Sequence, residues 1–412
     1  MEYYNMLLPL AIILIMSKLL AKVCTKFNLP TVVGLLITGL LMSLIRYIPG
    51  QTILDATALD GLGFLAKIGV ILIMFETGLE TDVKQLRDVG VGAVIITMAG
   101  VAVPMGLGFV AAVLFHGGFA NLTHDAMVSC LFYGTILTAT SVSVTVTTLR
   151  EMGRISSKVG STIVTAAVLD DIIGVVVLSF VIAMQNTAAV VTSPMLVVGR
   201  IVLFFVCAIP LGIVLNKLFD LLDHRYPHHR MIPILSLALC FFFAYASEKF
   251  FGVADITGAF VAGIVLARNP DRSYIERKSD VMSYMIFTPV FFANIGLTIT
   301  FDGISETMML FGICFILAGI VGKVIGCGGM AMLCGYKPMD GLRIGIGMMA
   351  RAEVALVCAQ KGVESGIIDS SIMPFILILI IVTSFITPIT LRLTYKNEPM
   401  PETAAATPEK QG

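Results

Sequence analysis

The chain has 412 residues, of which 57% are hydrophobic and 13% are charged, and its mean hydropathy is +0.96. A soluble protein of this length needs a much more polar surface. The formal net charge is zero, which argues against a nucleic-acid partner. The eight cysteines include no C-x-x-C pair, which argues against a zinc site or a disulfide framework. The composition therefore predicts an all-α polytopic membrane protein that lies in a lipid bilayer.

Apolar segments of about 20 residues follow one another along the chain and predict about thirteen membrane spans. The predicted spans are roughly 4–22, 29–45, 58–78, 89–115, 124–149, 156–184, 193–216, 231–248, 253–268, 281–298, 304–334, 341–361 and 371–392. The N-terminus has no basic region and no small-residue cleavage site, so we expect the first span to be retained. A transmembrane domain over 1–398 is then followed by a polar tail, 399–412, which we expect to be disordered.

The distribution of basic residues predicts the orientation of the chain. Of the 27 Lys and Arg, 19 lie in loops after odd-numbered spans or at the C-terminal end, and 3 lie in the other loops. Because cytoplasmic loops are enriched in Lys and Arg, we expect the N-terminus outside and the C-terminus in the cytoplasm, in a bacterial-type inner or plasma membrane. The basic residues that fall within spans are Lys18, Lys67, Arg200, Lys323 and Arg351.

Two pairs of segments indicate an internal repeat. The segments 32–43 and 255–267 share a G-x-x-x-x-G pattern, and the segments 74–82 and 291–302 align on Gly-Leu. Seven spans separate the copies, and an odd number places them in opposite orientations. This predicts an inverted-topology repeat, a plan common among secondary transporters.

The repeat places Glu76 and Asn294 at equivalent positions, in "MFETGLETD" and "FFANIGLTITFD". We expect Glu76 at the membrane interface near the inner end of span three, which is favoured over a role in transport. Asn294 is expected to donate or accept a hydrogen bond between helices. Both are accessory candidates for the functional site.

The fifth span contains "TILTATSVSVTVTT", a run rich in hydroxyl groups. Side chains such as Thr140 and Ser141 weaken a regular helix because they compete for its backbone hydrogen bonds. Unwound backbone here would expose carbonyls that coordinate a cation. The alternative is a Ser/Thr-rich contact between helices.

The sixth span contains two adjacent acids, Asp170 and Asp171, in "VLDDIIG". An ionised side chain at the bilayer centre costs about 2.5–3.5 kcal/mol on insertion scales, so both acids need compensation. Neighbours on a helix point about 100° apart, so one can face a wet cavity while the other faces a helix. The alternative, a pair buried for packing alone, is disfavoured because a neutral residue would pack at lower cost.

The eleventh span contains Lys323 in "AGIVGKVIGCGG". About a dozen apolar or small residues separate it from the polar loop on either side, which argues against a lysine that reaches the interface. It needs an acidic partner, and the aspartate pair is the obvious source.

The twelfth span contains Arg351 and Glu353 in "GIGMMARAEVALV". Two residues apart, they project in different directions and do not form a helix-face pair. A local ion pair at a kink is the alternative to a role in transport.

The loop "HRYPHHR", 224–230, carries His224, His228 and His229. Metal binding or pH sensing is conceivable for three histidines. A solvated cytoplasmic loop is the favoured interpretation.

Eight motifs in a characteristic order cover about 29–390. They are "LPTVVGLLITG", "FETGLETD", "TATSVSVT", "VLDDIIG", "ADITGAFVAGIVLA", "PVFFANIGL", "GKVIG" and "RAEV". Together they resemble the cation:proton antiporters of the monovalent cation:proton antiporter-2 group, especially NapA-like sodium/proton antiporters.

The resemblance implies a NhaA/NapA-like fold in which spans five and twelve are broken and cross. It also implies a homodimer, with a moving core (spans about 89–184 and 304–392) and a dimerisation domain (spans about 29–78 and 231–298). The chain departs from the family pattern where Ala350 and Ala352 replace Pro and Gly around the arginine of span twelve.

By the match to the two-aspartate motif of electrogenic members, the resemblance implies that Asp171 is the ion-binding carboxylate and that Asp170 pairs with Lys323. Both aspartates would hold the transported Na⁺, and no resident cofactor is expected. The remaining residues that the resemblance places at the ion site are Thr140, Ser141 and Glu353.

The leading hypothesis is therefore Na⁺ (Li⁺)/H⁺ antiport, electrogenic and by elevator-type alternating access. The runner-up is K⁺/H⁺ or mixed Na⁺/K⁺:H⁺ exchange of the Kef-like or GerN-like type. An organic-anion symporter is disfavoured because the aspartates neutralise the lysine. An enzyme, such as an intramembrane aspartyl protease, is disfavoured. That chemistry needs acids on two facing helices, whereas the two acids of this chain are adjacent.

Overall fold

The structure is a computed structural model in which every regular element of the described residues is helical. It describes residues 3–26, 30–48, 51, 53–81, 90–115, 117–119, 122–155, 157–185, 194–225, 231–299 and 305–396. The predicted tail 399–412 lies outside these residues, as do His228, His229 and the side chain of His224.

The α-helices follow the predicted spans closely. They are α1 (Leu7–Lys26), α2 (Thr31–Ser43), α3 (Ala56–Glu80), α4 (Val91–Phe115), α5 (His124–Ile136), α6 (Val142–Glu151), α7 (Lys158–Gln185), α8 (Pro194–Arg225), α9 (Met231–Phe251), α10 (Asp255–Leu266), α11 (Arg272–Met282), α12 (Thr288–Thr298), α13 (Glu306–Lys323), α14 (Met330–Leu333), α15 (Pro338–Gly347), α16 (Glu353–Glu364) and α17 (Met373–Tyr395). Two π-helical turns, Ser283–Phe287 and Val324–Gly329, join α11 to α12 and α13 to α14.

Nine helical segments within the described residues are long and apolar enough to cross a membrane. The other four predicted spans contain the short helices α2 and α10 and the interrupted pairs α5–α6 and α15–α16. The protein is thus a multi-pass helical membrane protein, while the count of thirteen crossings and their orientation stay predictions.

One helix lies mostly outside the predicted spans because its polar sequence does not resemble a membrane span. The helix α11, "RSYIERKSDVM", precedes the predicted tenth span, 281–298, and continues through a π-turn into α12. Its buried residues are Ile275 and Ser279, so most of its length is a polar helical surface that a hydropathy criterion misses.

The chain divides into two compact units by its internal contacts. Unit 1 comprises Met1–Phe27, Thr31–Lys84 and Val175–Thr300, and unit 2 comprises Asn28–Pro30, Gln85–Gly174 and Phe301–Gly412. The helix α7 contributes its first part to unit 2 and the remainder to unit 1. The predicted roles of a moving core and a dimerisation domain stay predictions.

Two glycine pairs hold unit 1 together at its closest helix contacts. The helix α2 packs on α12 through Gly39 and Gly296, and α3 packs on α10 through Gly78 and Gly263. A Cβ built on Gly39 would lie 1.9 Å from a main-chain oxygen of α12, and one built on Gly263 would lie 2.2 Å from a main-chain oxygen of α3. Only glycine therefore permits these approaches, as is common where helices pack in membranes.

These contacts follow the predicted repeat. The glycines that end the two G-x-x-x-x-G motifs, Gly39 and Gly263, each meet the glycine of a Gly-Leu motif. The glycines that begin them, Gly34 and Gly258, each lie against the main chain of the preceding helix, α1 or α9. The two sequence copies thus make equivalent contacts, while their opposite orientation in the membrane stays a prediction from the span count.

In unit 2, a tight contact between α4 and α13 holds the end of α13 in place. A Cβ on Gly322 would lie 2.7 Å from the Cα of Pro104, and one on Gly326 would lie 2.6 Å from the Ala99 carbonyl oxygen. Lys323 is the last residue of α13, immediately before the π-turn. Such turns are frequent at functional sites because they redirect side chains.

Replacing Gly263 by Ala should lower the melting temperature of the purified protein. The added methyl group must push α10 and α3 apart, and overpacking of this kind costs about 1–3 kcal/mol. A matched control is Gly199→Ala on α8, where a Cβ meets no atom within 4 Å. We expect the control to be neutral or stabilised by about 0.5–1 kcal/mol. Equal melting temperatures for the two variants in detergent would contradict the close packing.

Candidate functional site

The predicted break in span five lies between α5 and α6, at residues 137–141. The threonine hydroxyl groups in this break contact main-chain carbonyls. Thr138 Oγ1 donates to the Thr135 carbonyl at 2.8 Å, and Thr140 Oγ1 lies 3.5 Å from the Met348 carbonyl. Thr138, Thr140 and Ser141 are all buried, so the unwound backbone is enclosed by protein.

The break in span twelve lies between α15 and α16, at residues 348–352. It forms although Ala350 and Ala352 stand in place of the family's Pro and Gly. The two breaks meet through the main chain, since the Ser141 N–H donates to the Ala350 carbonyl at 2.8 Å. Thr145 Oγ1 donates to the Gly347 carbonyl at 2.7 Å and so satisfies the end of α15. The two breaks are therefore in hydrogen-bonded contact at the predicted crossing, while the relative direction of the two spans stays a prediction.

Arg351 lies at this crossing and is fully buried. Its guanidinium donates to the Ala139 carbonyl, in the other break, and to the Gly319 carbonyl of α13 at 3.1 Å. A positive charge beside carbonyls that have no partner within a helix complements the negative end of the half-helix α5. The arginine thus bonds to main-chain oxygens, and the local ion pair with Glu353 that the sequence allowed does not form.

Glu353 is the first residue of α16, so its carboxylate belongs to the first turn of that helix. An anion is stabilised at a helix N-terminus by the N–H groups that have no partner within the helix. Glu353 therefore occupies an anion-favouring position at the crossing, on the opposite side of the break from the end of α15.

Asp170 and Lys323 form a buried ion pair between α7 and α13. Lys323 Nζ donates to both carboxylate oxygens of Asp170, at 2.8 and 2.9 Å. The Asp170 side chain is 1% exposed, and the Lys323 side chain is 0% exposed. The predicted contact is present, and its geometry is that of a charge-assisted, two-oxygen hydrogen bond.

Asp171 has a different environment from its neighbour. Asp170 is 2% exposed, whereas Asp171 is partly exposed. One turn further along α7, a Cβ on Gly174 would lie 3.9 Å from the Thr138 hydroxyl of the first break. Cys358 of α16 lies within electrostatic range of the Asp171 carboxylate. Asp171 is thus more accessible than Asp170 and close to elements of both broken spans.

Arg351 is one of three accessory candidates, and the other two, Glu76 and Asn294, belong to unit 1. Asn294 is a partly buried residue of α12. Glu76, near the end of α3, lines a cavity of about 420 Å³. The other residues that line this cavity are Glu80, Ser273, Glu276, Arg277 and Asp280. Unit 1 therefore places Glu76 among charged side chains, in keeping with an interface position.

Sequence reasoning missed several contributors to the site. The sequence indicates no main-chain partner for Arg351 and gives no signal for Cys358. Thr383 and Ser384 of α17 also bond to the main chain of Arg351, through its N–H and its carbonyl. The only signal for such groups in the sequence is their polarity within an apolar span, which does not name a partner.

A helical membrane protein with two interrupted, crossing helices and buried charges beside them has the features of an ion transporter. Residues 11–396 match the family model described as "Sodium/hydrogen exchanger, transmembrane", and the chain belongs to this family. Exchange of monovalent cations for protons is the activity that this family membership supports, which confirms the resemblance to cation:proton antiporters. The family is one of transporters and not of enzymes.

Named relatives and a solved structure agree with this assignment. The chain is 32% identical to the Na(+)/H(+)-K(+) antiporter GerN of Bacillus cereus, over 95% of this chain and 97% of that protein. It is 30% identical to the high-affinity Na(+)/H(+) antiporter NhaS3 of Synechocystis sp., over 98% and 94%. The sodium proton antiporter MjNhaP1 of Methanocaldococcus jannaschii shares the fold, with a TM-score of 0.73 at 17% identity, over 96% of this chain and 98% of that chain.

The ion pair predicts a characteristic pattern of stabilities. Removing one partner of a buried pair leaves an uncompensated charge, at a cost of about 3–5 kcal/mol, while replacing both is often close to neutral. Lys323→Ala and Asp170→Ala should each lower the melting temperature more than the double variant does. Additive losses in the double variant would contradict the pair.

The control for this cycle is the exposed pair Arg392–Glu151 of the same unit, whose side chains are 58% and 55% exposed. Exposed pairs contribute about 0–1 kcal/mol. The same four-variant cycle on Arg392 and Glu151, melted in the same detergent, should therefore show little coupling.

Proposed function

We propose that this protein exchanges Na⁺ or Li⁺ for H⁺ across the cell membrane, with Asp171 as the carboxylate that carries the ion. The observation that carries this proposal is the buried Asp170–Lys323 pair directly beside the more accessible Asp171. One acid is compensated by a lysine within the protein, and the adjacent acid is the more accessible of the two, which supports its role as the group that meets an external cation.

The chemistry of Asp171 follows from its surroundings. A carboxylate at membrane depth is stabilised by a proton or by a bound cation, since an isolated charge there is costly. A proton and a Na⁺ ion therefore compete for the same group, and this competition couples their movements. Thr140, Ser141 and Glu353 supply oxygen atoms near the crossing, and Na⁺ is a cation that oxygen ligands suit. No resident cofactor is required.

The exchange is electrogenic in this proposal. The Asp170–Lys323 pair lies beside the carrier and holds a second proton, so a cycle can move two protons for one cation. The pair is intact in this structure. Disturbing it when a cation binds would free the lysine proton, and the pair would form again once the cation leaves.

We further propose elevator-type alternating access in a homodimer. Unit 2, which contains both aspartates, Lys323 and both breaks, acts as the moving core, and unit 1 acts as the dimerisation domain. The glycine contacts of unit 1 support a stiff framework, while the hydrogen-bonded breaks support movement of unit 2 as one body. The N-terminus lies outside and the C-terminus in the cytoplasm, as the loop charges predict.

Potassium is the second candidate cation. The relative GerN is named a Na(+)/H(+)-K(+) antiporter, and it matches this chain along nearly its full length. The discriminating experiment is proton movement in proteoliposomes with Na⁺, Li⁺ and K⁺ compared at equal concentration. Proton flux driven by K⁺ as fast as that driven by Na⁺ would favour the mixed exchange.

Replacing Asp171 by Asn should abolish Na⁺-driven proton flux in proteoliposomes, because the amide cannot release or take up a proton. The protein should still insert and elute as the wild type does. Glu151→Gln, which changes an exposed acid of the same unit, is the matched control and should retain flux. Wild-type flux from Asp171→Asn would remove this residue as the carrier.

An imposed membrane potential should change the exchange rate, because a cycle with two protons per cation moves net charge. The measurement is Na⁺-driven proton flux in proteoliposomes with potentials of both signs set by a K⁺ gradient and an ionophore. Insensitivity to the potential, together with a measured ratio of one proton per cation, would rule out the electrogenic cycle.

A further inference from the structure

Lys18 is a basic residue within a predicted span that the ion site does not use. It lies eight residues before the end of α1, which corresponds to about 12 Å along the helix axis. The side chain is exposed on the surface of the molecule. Its ammonium donates a hydrogen bond to the Tyr284 hydroxyl and lies 4.7 Å from the centre of that ring. The lysine is thus held against the Tyr284 side chain.

Lys18 begins a row of lysines along α1. Lys22 and Lys26 follow at spacings of four residues, which places all three on one face of the helix. All three are exposed. The row therefore extends from the interior of the predicted span, 4–22, past the end of that span to the C-terminal end of α1.

Apolar side chains flank this row. Leu19 and Val23 of α1 are 60% and 50% exposed, and Met285, next to Tyr284, is 60% exposed. The surface thus combines a line of positive charge with adjacent hydrocarbon. This is the pattern expected for a molecule with an anionic head and acyl chains.

Among the described residues, the helices on which α1 packs most extensively supply no negative charge to this row. The helix α1 packs mainly on α2 and α12, and none of these three helices contains Asp or Glu. Among the described residues, the nearest acid in sequence to Tyr284 is Asp280, which lines the cavity of Glu76. A second copy of the chain facing this row by the same surface would bring lysines against lysines, which is unfavourable.

We propose that the surface formed by Lys18, Lys22, Lys26 and Tyr284 binds an anionic phospholipid of the leaflet that covers the C-terminal end of α1. The phosphate accepts hydrogen bonds from the lysines and from the Tyr284 hydroxyl, and the acyl chains lie on Leu19, Val23 and Met285. This leaflet is the inner one by the distribution of loop charges.

The test compares phosphatidylglycerol with phosphatidylcholine of the same acyl chains, added to delipidated protein in a non-ionic detergent. Melting temperature reports stabilisation, and native mass spectrometry reports retained lipid. We expect phosphatidylglycerol to stabilise the wild type more than phosphatidylcholine does. Lys18→Gln should weaken the apparent affinity for phosphatidylglycerol about fivefold, which corresponds to about 1 kcal/mol per basic residue near a membrane surface.

The matched control is Lys67→Gln. Lys67 is also an exposed lysine of a predicted span in unit 1, but the residues four positions away are Gly63 and Ile71. It should leave the lipid response unchanged, as should Lys18→Arg, which keeps the charge and checks that position 18 tolerates substitution. Tyr284→Phe should weaken the response less than Lys18→Gln.

Three outcomes would overturn the proposal. The first is equal stabilisation by the two lipids. The second is an unchanged response in Lys18→Gln. The third is an equal effect of inorganic phosphate, which would indicate an anion site without a lipid. A change in oligomeric state in Lys18→Gln with no change in lipid response would instead assign this surface to self-association. None of these readouts depends on transport, so they are separate from the tests of ion exchange.

Discussion

The contact between Asp170 and Lys323 imposes a condition on everything around it. Each charge loses several kcal/mol of hydration when it is buried, and their attraction repays this only if the geometry is good and water is kept out. The close approach of α4 to α13, through Gly322 and Pro104, supplies that exclusion beside the lysine. A buried pair of this kind is therefore weak evidence for a gain in stability.

The two breaks create a second requirement, because each leaves main-chain groups without helical partners. The protein meets it from within the crossing itself. Ser141 donates to the other break, Thr145 satisfies the end of α15, and the Arg351 guanidinium bonds to the Ala139 carbonyl. Irregular backbone at membrane depth is tolerated only where protein or a water-filled cavity encloses it. Each break therefore satisfies main-chain groups of the other.

Much of this arrangement is readable from the sequence, and the rest is not, for a physical reason. The cost of charge in a membrane predicts that Asp170 and Lys323 need partners, and each has only a few candidates. Hydropathy locates apolar helices but not α11, whose surface is polar. The partners of Arg351 are not readable from the sequence because they are main-chain oxygens, and every residue carries one. The number of membrane crossings and their orientation are predicted from hydropathy and loop charge, because the helices alone do not mark the position of the bilayer.

The glycine pairs of unit 1 also have a consequence for biogenesis. Gly39 meets Gly296, and Gly78 meets Gly263, so each contact joins helices that leave the ribosome far apart in time. The helices α2 and α3 enter the bilayer before α10 and α12. Each presents a glycine that one of these later helices contacts. Helices can insert independently and associate later, as membrane packing without a hydrophobic driving force allows. These two contacts can therefore form only after the C-terminal half of the chain has been synthesised.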